Sequence, residues 1–246
     1  MALGQKEIGK RVSEFTLGVA NNASDMMLFA IKYNLDFSGS QAISEIGFSS
    51  LKRSLIHLKS KGFITESAGT STGYSLTEKG ALELEKIIPS YKEERVWNGK
   101  LYLINYDLPV TKNTIRNSFR DFLKTIGCGM IQHSVWLTAN DPRSKLMEYI
   151  TKENLPRELV IVSSINLEVE LYPYQVPNLL EQAFKLSSLN QRYKDYLLFT
   201  TAEDISREQK IFAFLKILKD DPQAPYDLIP GDWSGYEAYE IFKKIV

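Results

Sequence analysis

Between Phe48 and Gly62 the chain carries Lys52, Arg53, Lys59 and Lys61 together with His57, and no acid. It is the most one-signed stretch in the sequence. Leu51, Leu55 and Leu58 recur at spacings of four and three, which is the period of a single helix face. The stretch therefore predicts a helix whose leucines turn inward, with Ile56 beside that stripe. Lys52, Arg53, His57, Lys59 and Ser60 fall away from the leucines. Such a face suits contact with phosphate oxygens and with base edges in a major groove. Ser49 and Ser50, just ahead of the leucines, are candidate helix caps and join Lys52, Arg53, His57 and Lys59 as candidate DNA contacts. A loop between Gly69 and Gly73 adds Thr70, Ser71 and Thr72, small hydroxyl residues suited to a phosphate backbone.

The elements that must position these residues follow from the flanking sequence. Ser24-Asp25 can cap a helix with Met27, Leu28, Ile31 and Leu35 at spacings of 1, 3 and 4. Ser40 begins a short helix carrying Ile43 and Ile46, which Gly47 ends. Phe48 is placed to staple the basic helix. The period then shortens: Phe63-Ile64-Thr65 and Tyr74-Ser75-Leu76 are strand-like triplets around the hydroxyl loop. Thr77 caps a last helix through Ala81, Leu84 and Ile87, stopped near Pro89. Helix, short helix, glycine turn, basic helix and hairpin form the order of a winged helix-turn-helix. The plainer alternative is an ordinary surface helix with a solvated basic face.

Composition limits the rest. The chain has 246 residues, 43% hydrophobic and 24% charged, as expected for a globular protein rather than a disordered one. Lys plus Arg and Asp plus Glu both number 30, so a protein that coats nucleic acid along its whole length is excluded, while a local basic patch is not. One cysteine, Cys128, rules out an internal disulfide framework, and two histidines rule out most His-built metal sites. The N-terminal residues lack the apolar run of a signal peptide, and no stretch approaches the length of a membrane span. A soluble, cytoplasmic protein is the expectation. No Gly-rich phosphate loop or nucleophile elbow occurs, and His57 and His133 fall in different expected domains. Neither an enzyme nor a cofactor is expected.

The middle of the chain alternates strand and helix patterns. Leu101 to Asp107 is strand-like and ends at Leu108-Pro109. Thr111 or Asn113 starts a helix to Ile126, with Ile115, Phe119, Phe122, Leu123 and Ile126 inward and Lys112, Arg116, Arg120 and Lys124 on the opposite side. Gly127 and Gly129 stop it. Met130 to Thr138 is again strand-like, with Gln132 to Thr138 either one strand or a bent pair. A helix from Pro142 to about Asn154 and a strand over Leu159 to Val162 complete a ferredoxin-like pattern. Beyond it, Val176 to about Leu198 reads as one helix, and Asp204 or Ser206 opens another. A loop with three prolines follows from Asp221 to Gly235, and Ser234 caps a final helix. The expected fold class is α+β and multidomain: a winged helix over 1–96, a ferredoxin-like domain over 97–172 serving dimerisation, and a helical domain over 173–246.

Tyr106-Asp107-Leu108-Pro109, the helix with Arg116, and Ile131-Gln132-His133-Ser134-Val135-Trp136 resemble the small ferredoxin-fold nuclease of CRISPR spacer acquisition. That resemblance implies metal binding by Asp107, two copies of which could meet across a dimer axis. The local alternative is an Asp107 that caps the following loop or helix. The whole chain is similar to the PaaX repressors. The likeness rests on Trp97-Asn98-Gly99-Lys100, Gly127-Cys128-Gly129-Met130, Ser134-Val135-Trp136, and the ending with Asp221-Pro222, Leu228-Ile229-Pro230, Asp232-Trp233 and a terminal amphipathic helix. It implies a homodimeric repressor on a palindromic operator of double-stranded DNA, released by a small effector, which is an acyl-coenzyme A thioester in the founding case. No effector residue can be carried over by position. Trp136 and Trp233 stand as candidate walls of a ligand pocket on aromatic placement alone.

Overall fold

The computed structural model describes residues 22–35, 48–108, 113–156, 159–166 and 176–246. These residues cluster as two compact units. One holds the described residues up to Ser90 with Tyr193–Lys219 and Gly235–Val246; the other holds Tyr91–Arg192 with Asp220–Ser234. The C-terminal third thus contributes to both.

The first unit begins with α1 (Ala23–Tyr33). Its cap is Asn22, not the expected Ser24-Asp25: Asn22 Oδ1 accepts from the N–H groups of Ser24 at 2.8 Å and Asp25 at 3.0 Å. Several capping residue types stand in a row there, and the first one with extended backbone takes the role. Residues Met26 to Ile31 are all buried, so α1 is enclosed rather than one-faced. The expected short helix with Ser40, Ile43, Ile46 and Gly47 lies outside the described residues. Helix α2 (Phe48–Ser60), strands β1 (Ile64–Glu66) and β2 (Tyr74–Leu76) and helix α3 (Glu78–Ile87) follow in the expected order. β1 and β2 pair antiparallel. Thr77 caps α3 by accepting from Gly80 N–H, and its own hydroxyl donates to Gly62 O at 2.7 Å. Gly80 is required here because a Cβ would fall 1.9 Å from Phe63 O.

Helices from the C-terminal third complete this unit. In α7 (Leu186–Thr200), α8 (Arg207–Asp220) and α9 (Gly235–Ile245), rings collect around Phe214, which stacks on Phe242 at 4.3 Å and lies 5.5 Å from Tyr196. Phe212 meets Phe29 of α1 edge-on at 6.5 Å, and Tyr33 meets Phe242 at 5.8 Å. Ser206 and Gln209 cap α8 reciprocally, each accepting from the other's N–H, at 3.3 and 2.7 Å. Arg207 donates to the carbonyls of Ile245, Val246 and Tyr33, satisfying acceptors at two helix ends.

The second unit is built on a four-stranded sheet. Its elements are β3 (Lys100–Tyr106), α4 (Asn113–Thr125), β4 (Gly129–Gln132), β5 (Val135–Thr138), α5 (Arg143–Lys152) and β6 (Val160–Asn166). The strand order is β4-β5-β3-β6 with every pair antiparallel, which is the ferredoxin-like topology. Residues 129 to 138 form two strands, with His133 and Ser134 at the turn. Trp97 Nε1 donates to Lys100 O, and Asn98 Oδ1 accepts from Lys100 N–H around Gly99 at φ 75°, so the Trp-Asn-Gly-Lys motif is a tight turn into β3.

Both faces of this sheet are covered. Ile104, Tyr106 and Trp136 pack with Phe119, Leu123 and Leu146 of α4 and α5. Leu101 and Leu137 pack on the other face with Leu179, Leu180 and Leu186, joined by Leu228, Ile229 and Trp233 of the proline-rich loop. Two-sided burial explains the apolar run from Leu101 to Ile104 in β3. The single helix expected over Val176 to Leu198 is instead two, α6 (Val176–Phe184) and α7, because Lys185 adopts a left-handed φ of 52°. The close approach of α6 to β4 also requires Gly129, whose Cβ would lie 2.5 Å from Ala183 O.

Arg95 and Asp221 form a buried ion pair at 3.5 Å with both side chains 1% exposed. Arg95 also donates to Lys92 O and Ala224 O and lies between the rings of Tyr91 and Tyr226. Arg95→Met leaves the Asp221 carboxylate buried without its cation and should cost about 3–5 kcal/mol. The Arg95→Met/Asp221→Leu double variant should recover much of that loss. Urea midpoints of the four proteins check it.

Candidate nucleic-acid interface

Helix α2 sorts its side chains cleanly. Ser54 and Leu58 are buried and Leu51 and Leu55 half-buried, whereas Lys52, Arg53, Ile56, His57, Lys59 and Ser60 are exposed. The helix starts at Phe48, so Ser49 and Ser50 sit in its first turn rather than ahead of it. Arg53 folds back over that turn: its Nε donates to Ser49 O and its Nη2 to Ser50 Oγ, each at 3.3 Å. These bonds aim the guanidinium toward the N-terminal end of α2 and leave part of its donor fork open. Lys52 and Lys61 are exposed, with no ion-pair partner among the described residues.

Lys59 is different. Its ammonium is paired with Glu66 of β1, and the hydrogen bond lifts the lysine above its usual range while holding the glutamate below its own. The acid-free stretch ends four residues before Glu66, and the hairpin folds that carboxylate back onto α2. Lys59 is therefore a tether between helix and hairpin more than an open cation.

The hydroxyl loop is held from within. Thr70 Oγ1 lies 3.2 Å from both Ser67 O and Tyr74 O, and Thr72 Oγ1 donates to Tyr74 O at 3.3 Å. Their hydroxyl protons are thus directed to loop carbonyls, and only lone pairs remain outward. Ser71 is exposed at the tip, and its backbone N–H donates to Asn34 Oδ1 at 2.7 Å. Asn34 closes α1 in the left-handed conformation at φ 50°. One residue therefore ends α1 and positions the loop tip, a role the sequence analysis did not assign.

Ile56, expected beside the leucine stripe, lies on the outward face instead. It is 62% exposed amid polar and cationic side chains. A branched apolar side chain on such a face can contact the C5-methyl group of thymine.

Asp107, the candidate metal residue, is exposed at the end of β3, and its backbone N–H donates to Leu159 O at 2.9 Å. The residues that would follow it into α4 lie outside the described set. Among the described residues no three His, Cys, Asp or Glu side chains gather as a metal site. Tyr106, beside it, donates its hydroxyl to His133 O, and Arg120 bonds both groups, so these residues pin the β4–β5 turn. The row expected on the solvent side of α4 is not uniform: Arg116 is half-buried with its Nε shielded from solvent, and Lys124 pairs with Asp121. Cys128 is buried, which pushes its thiol up to about 12.

Fold and site together define a multidomain α+β protein in which a helix-and-hairpin module with an exposed cationic face accompanies a ferredoxin-like sheet. Family models match at two places: the PaaX protein central Cas2-like domain over residues 94–170, and the PaaX-like protein C-terminal domain over residues 205–246. Both matches support membership in the PaaX family. Among solved structures it is similar to the uncharacterized protein Rv0674 from Mycobacterium tuberculosis, with a TM-score of 0.57 at 20% identity over 81% of this chain and 80% of that one. At that identity the likeness is one of fold. No curated protein matches the chain. No helix among the described residues is long and apolar enough to cross a membrane.

Asn34→Gly keeps the backbone conformation of the α1 end and removes the acceptor for the loop tip. The amide of Ser71 should then exchange with solvent at least tenfold faster, while amides inside α1 keep their protection. Hydrogen exchange resolved by residue checks this.

Proposed function

We propose that this protein is a sequence-specific DNA-binding transcriptional regulator, a homodimeric repressor released by a small effector, and not an enzyme. The observation that carries the reading is the outward face of α2. Lys52, Arg53 and His57 stand there with Ile56, beside a hairpin fixed to the helix through Lys59–Glu66 and to α1 through Asn34. Membership in the PaaX family supports the regulatory role.

On this reading residues 22–90 act as a winged helix. α2 enters the major groove, where Lys52 and Arg53 reach phosphates or guanine edges and His57 lies one turn further along. Ser49 and Ser50 orient Arg53, and the loop with Thr70, Ser71 and Thr72 approaches the backbone. The ferredoxin-like segment carries dimerisation, so two copies of α2 read a palindromic operator. An effector releases the DNA only by binding the two dimer states with different affinity. The overall balance of 30 cations and 30 acids leaves few unopposed contacts, so affinity should fall only gently with salt.

Selection from a random duplex library, followed by anisotropy titration of the enriched duplex, tests the reading. Lys52→Ala/Arg53→Ala should abolish operator binding while leaving the free energy of urea unfolding within about 0.5 kcal/mol of wild type. Retained affinity in that variant would remove α2 from the interface. A manganese-containing arm that cuts DNA, with cutting lost in Asp107→Ala, would instead make the central domain a nuclease.

Glu66→Gln releases Lys59 from its partner. It should tighten binding to any duplex and steepen the dependence of log K on log salt by about one charge. Ile56→Ser should weaken binding at one thymine position of each half-site, and uracil placed there should produce the same loss in the wild type.

A further inference from the structure

A cavity of about 590 Å³ lies within the second unit, beside the edge strand β4 and between α4 and the start of α7. It takes no part in the interface described above. Its size is that of a small-molecule site, and its walls are of two kinds. Met130, Phe184 and Leu189 supply apolar surface, while Arg120, Lys124, Lys185 and Arg192 supply positive charge against a single carboxylate, Asp220. Asp220 pairs with Arg192 and Asp121 with Lys124, which leaves Arg120 and Lys185 without a carboxylate partner among the described residues. His133 and the protonated thiol of Cys128 complete the titratable wall groups.

One wall carries an unmet demand. Trp136 is 1% exposed, and its indole N–H has no hydrogen-bond partner among the described residues. Ser188, in the first turn of α7, brings the positive end of that helix to the same space.

We propose that this cavity binds a small organic anion. Its carboxylate or phosphate lies against Lys185 and Arg120, and its apolar body lies against Met130, Phe184 and Leu189. A nucleic-acid backbone is the poorer occupant, because it has no use for a recessed apolar wall. The site stands independently of the DNA reading, and filling it would supply the effector that reading requires.

Calorimetric titration of the full chain tests the assignment. Hexanoate and benzoate are the anionic probes, hexanamide and benzamide their neutral counterparts, and inorganic phosphate the anion without an apolar body. Each carboxylate should bind saturably at one site per chain, with its amide at least tenfold weaker and phosphate weaker than either carboxylate. Lys185→Gln removes an exposed charge and should weaken carboxylate binding about tenfold. Equal binding of acids and amides would overturn the proposal, as would the absence of saturable heat from every probe. Unchanged affinity in Lys185→Gln would also overturn it. So would a loss of duplex affinity in Lys185→Gln without carboxylate binding by the wild type, which would make the cavity a DNA-backbone contact.

Discussion

The buried pair of Arg95 and Asp221 is the constraint on which the second unit depends. Asp221 opens a loop of irregular backbone with three prolines, and such a loop has no ladder of its own to hold it. Arg95 supplies the missing order by pairing with Asp221 and donating to Ala224 O, while Gln223 accepts from Lys92 N–H at 2.6 Å. Loop and leading segment thereby fix one another. At its far end the loop is held by Asn190, which donates to Asp232 O and accepts from Ser234 N–H. Leu228, Ile229 and Trp233 are then delivered to the face of the sheet opposite α4 and α5. There they close the margin of the core that Leu101 and Leu137 form with Leu179, Leu180 and Leu186.

A different economy governs the first unit. Its hairpin is short, three residues to a strand, and a two-stranded hairpin is marginal by itself. It persists because it is tied at several points: Thr77 to Gly62, Lys59 to Glu66, and Asn34 to the loop tip. The threonines that looked free to meet phosphate are occupied in shaping the loop. What remains outward includes Lys52, Arg53, Ile56, His57, Lys61 and Ser71. On the DNA-binding proposal, a small contact surface on a chain of zero net charge favours discrimination by shape and base contact over bulk attraction.

Much of this was legible in the sequence. The leucine spacing of α2 named its buried face, the alternation from Leu101 to Val162 carried the ferredoxin-like order, and the glycines at 127 and 129 marked the end of α4. The failures share a cause, which is information carried by residues distant in the chain. The pairing of Lys59 needs Glu66 from across a turn, and Ser71 needs Asn34 from 37 residues away. The break at Lys185 is a left-handed residue that is not glycine, so the apolar period runs through it unmarked. The cation row of α4 likewise looked solvated because periodicity does not reveal that Arg116 and Arg120 turn toward the sheet's turn and core. The cavity beside β4 is a feature of packing, and only the aromatic placement of Trp136 hinted at it.

The measurement that bears most directly on the central claim is hydrogen exchange of the full chain with and without an enriched duplex. Protection confined to residues 48–62 and 67–73 of the first unit is the predicted result. Protection centred instead on the end of β3 and the β4–β5 turn, with 48–62 unchanged, would contradict it and place the nucleic acid on the ferredoxin-like sheet.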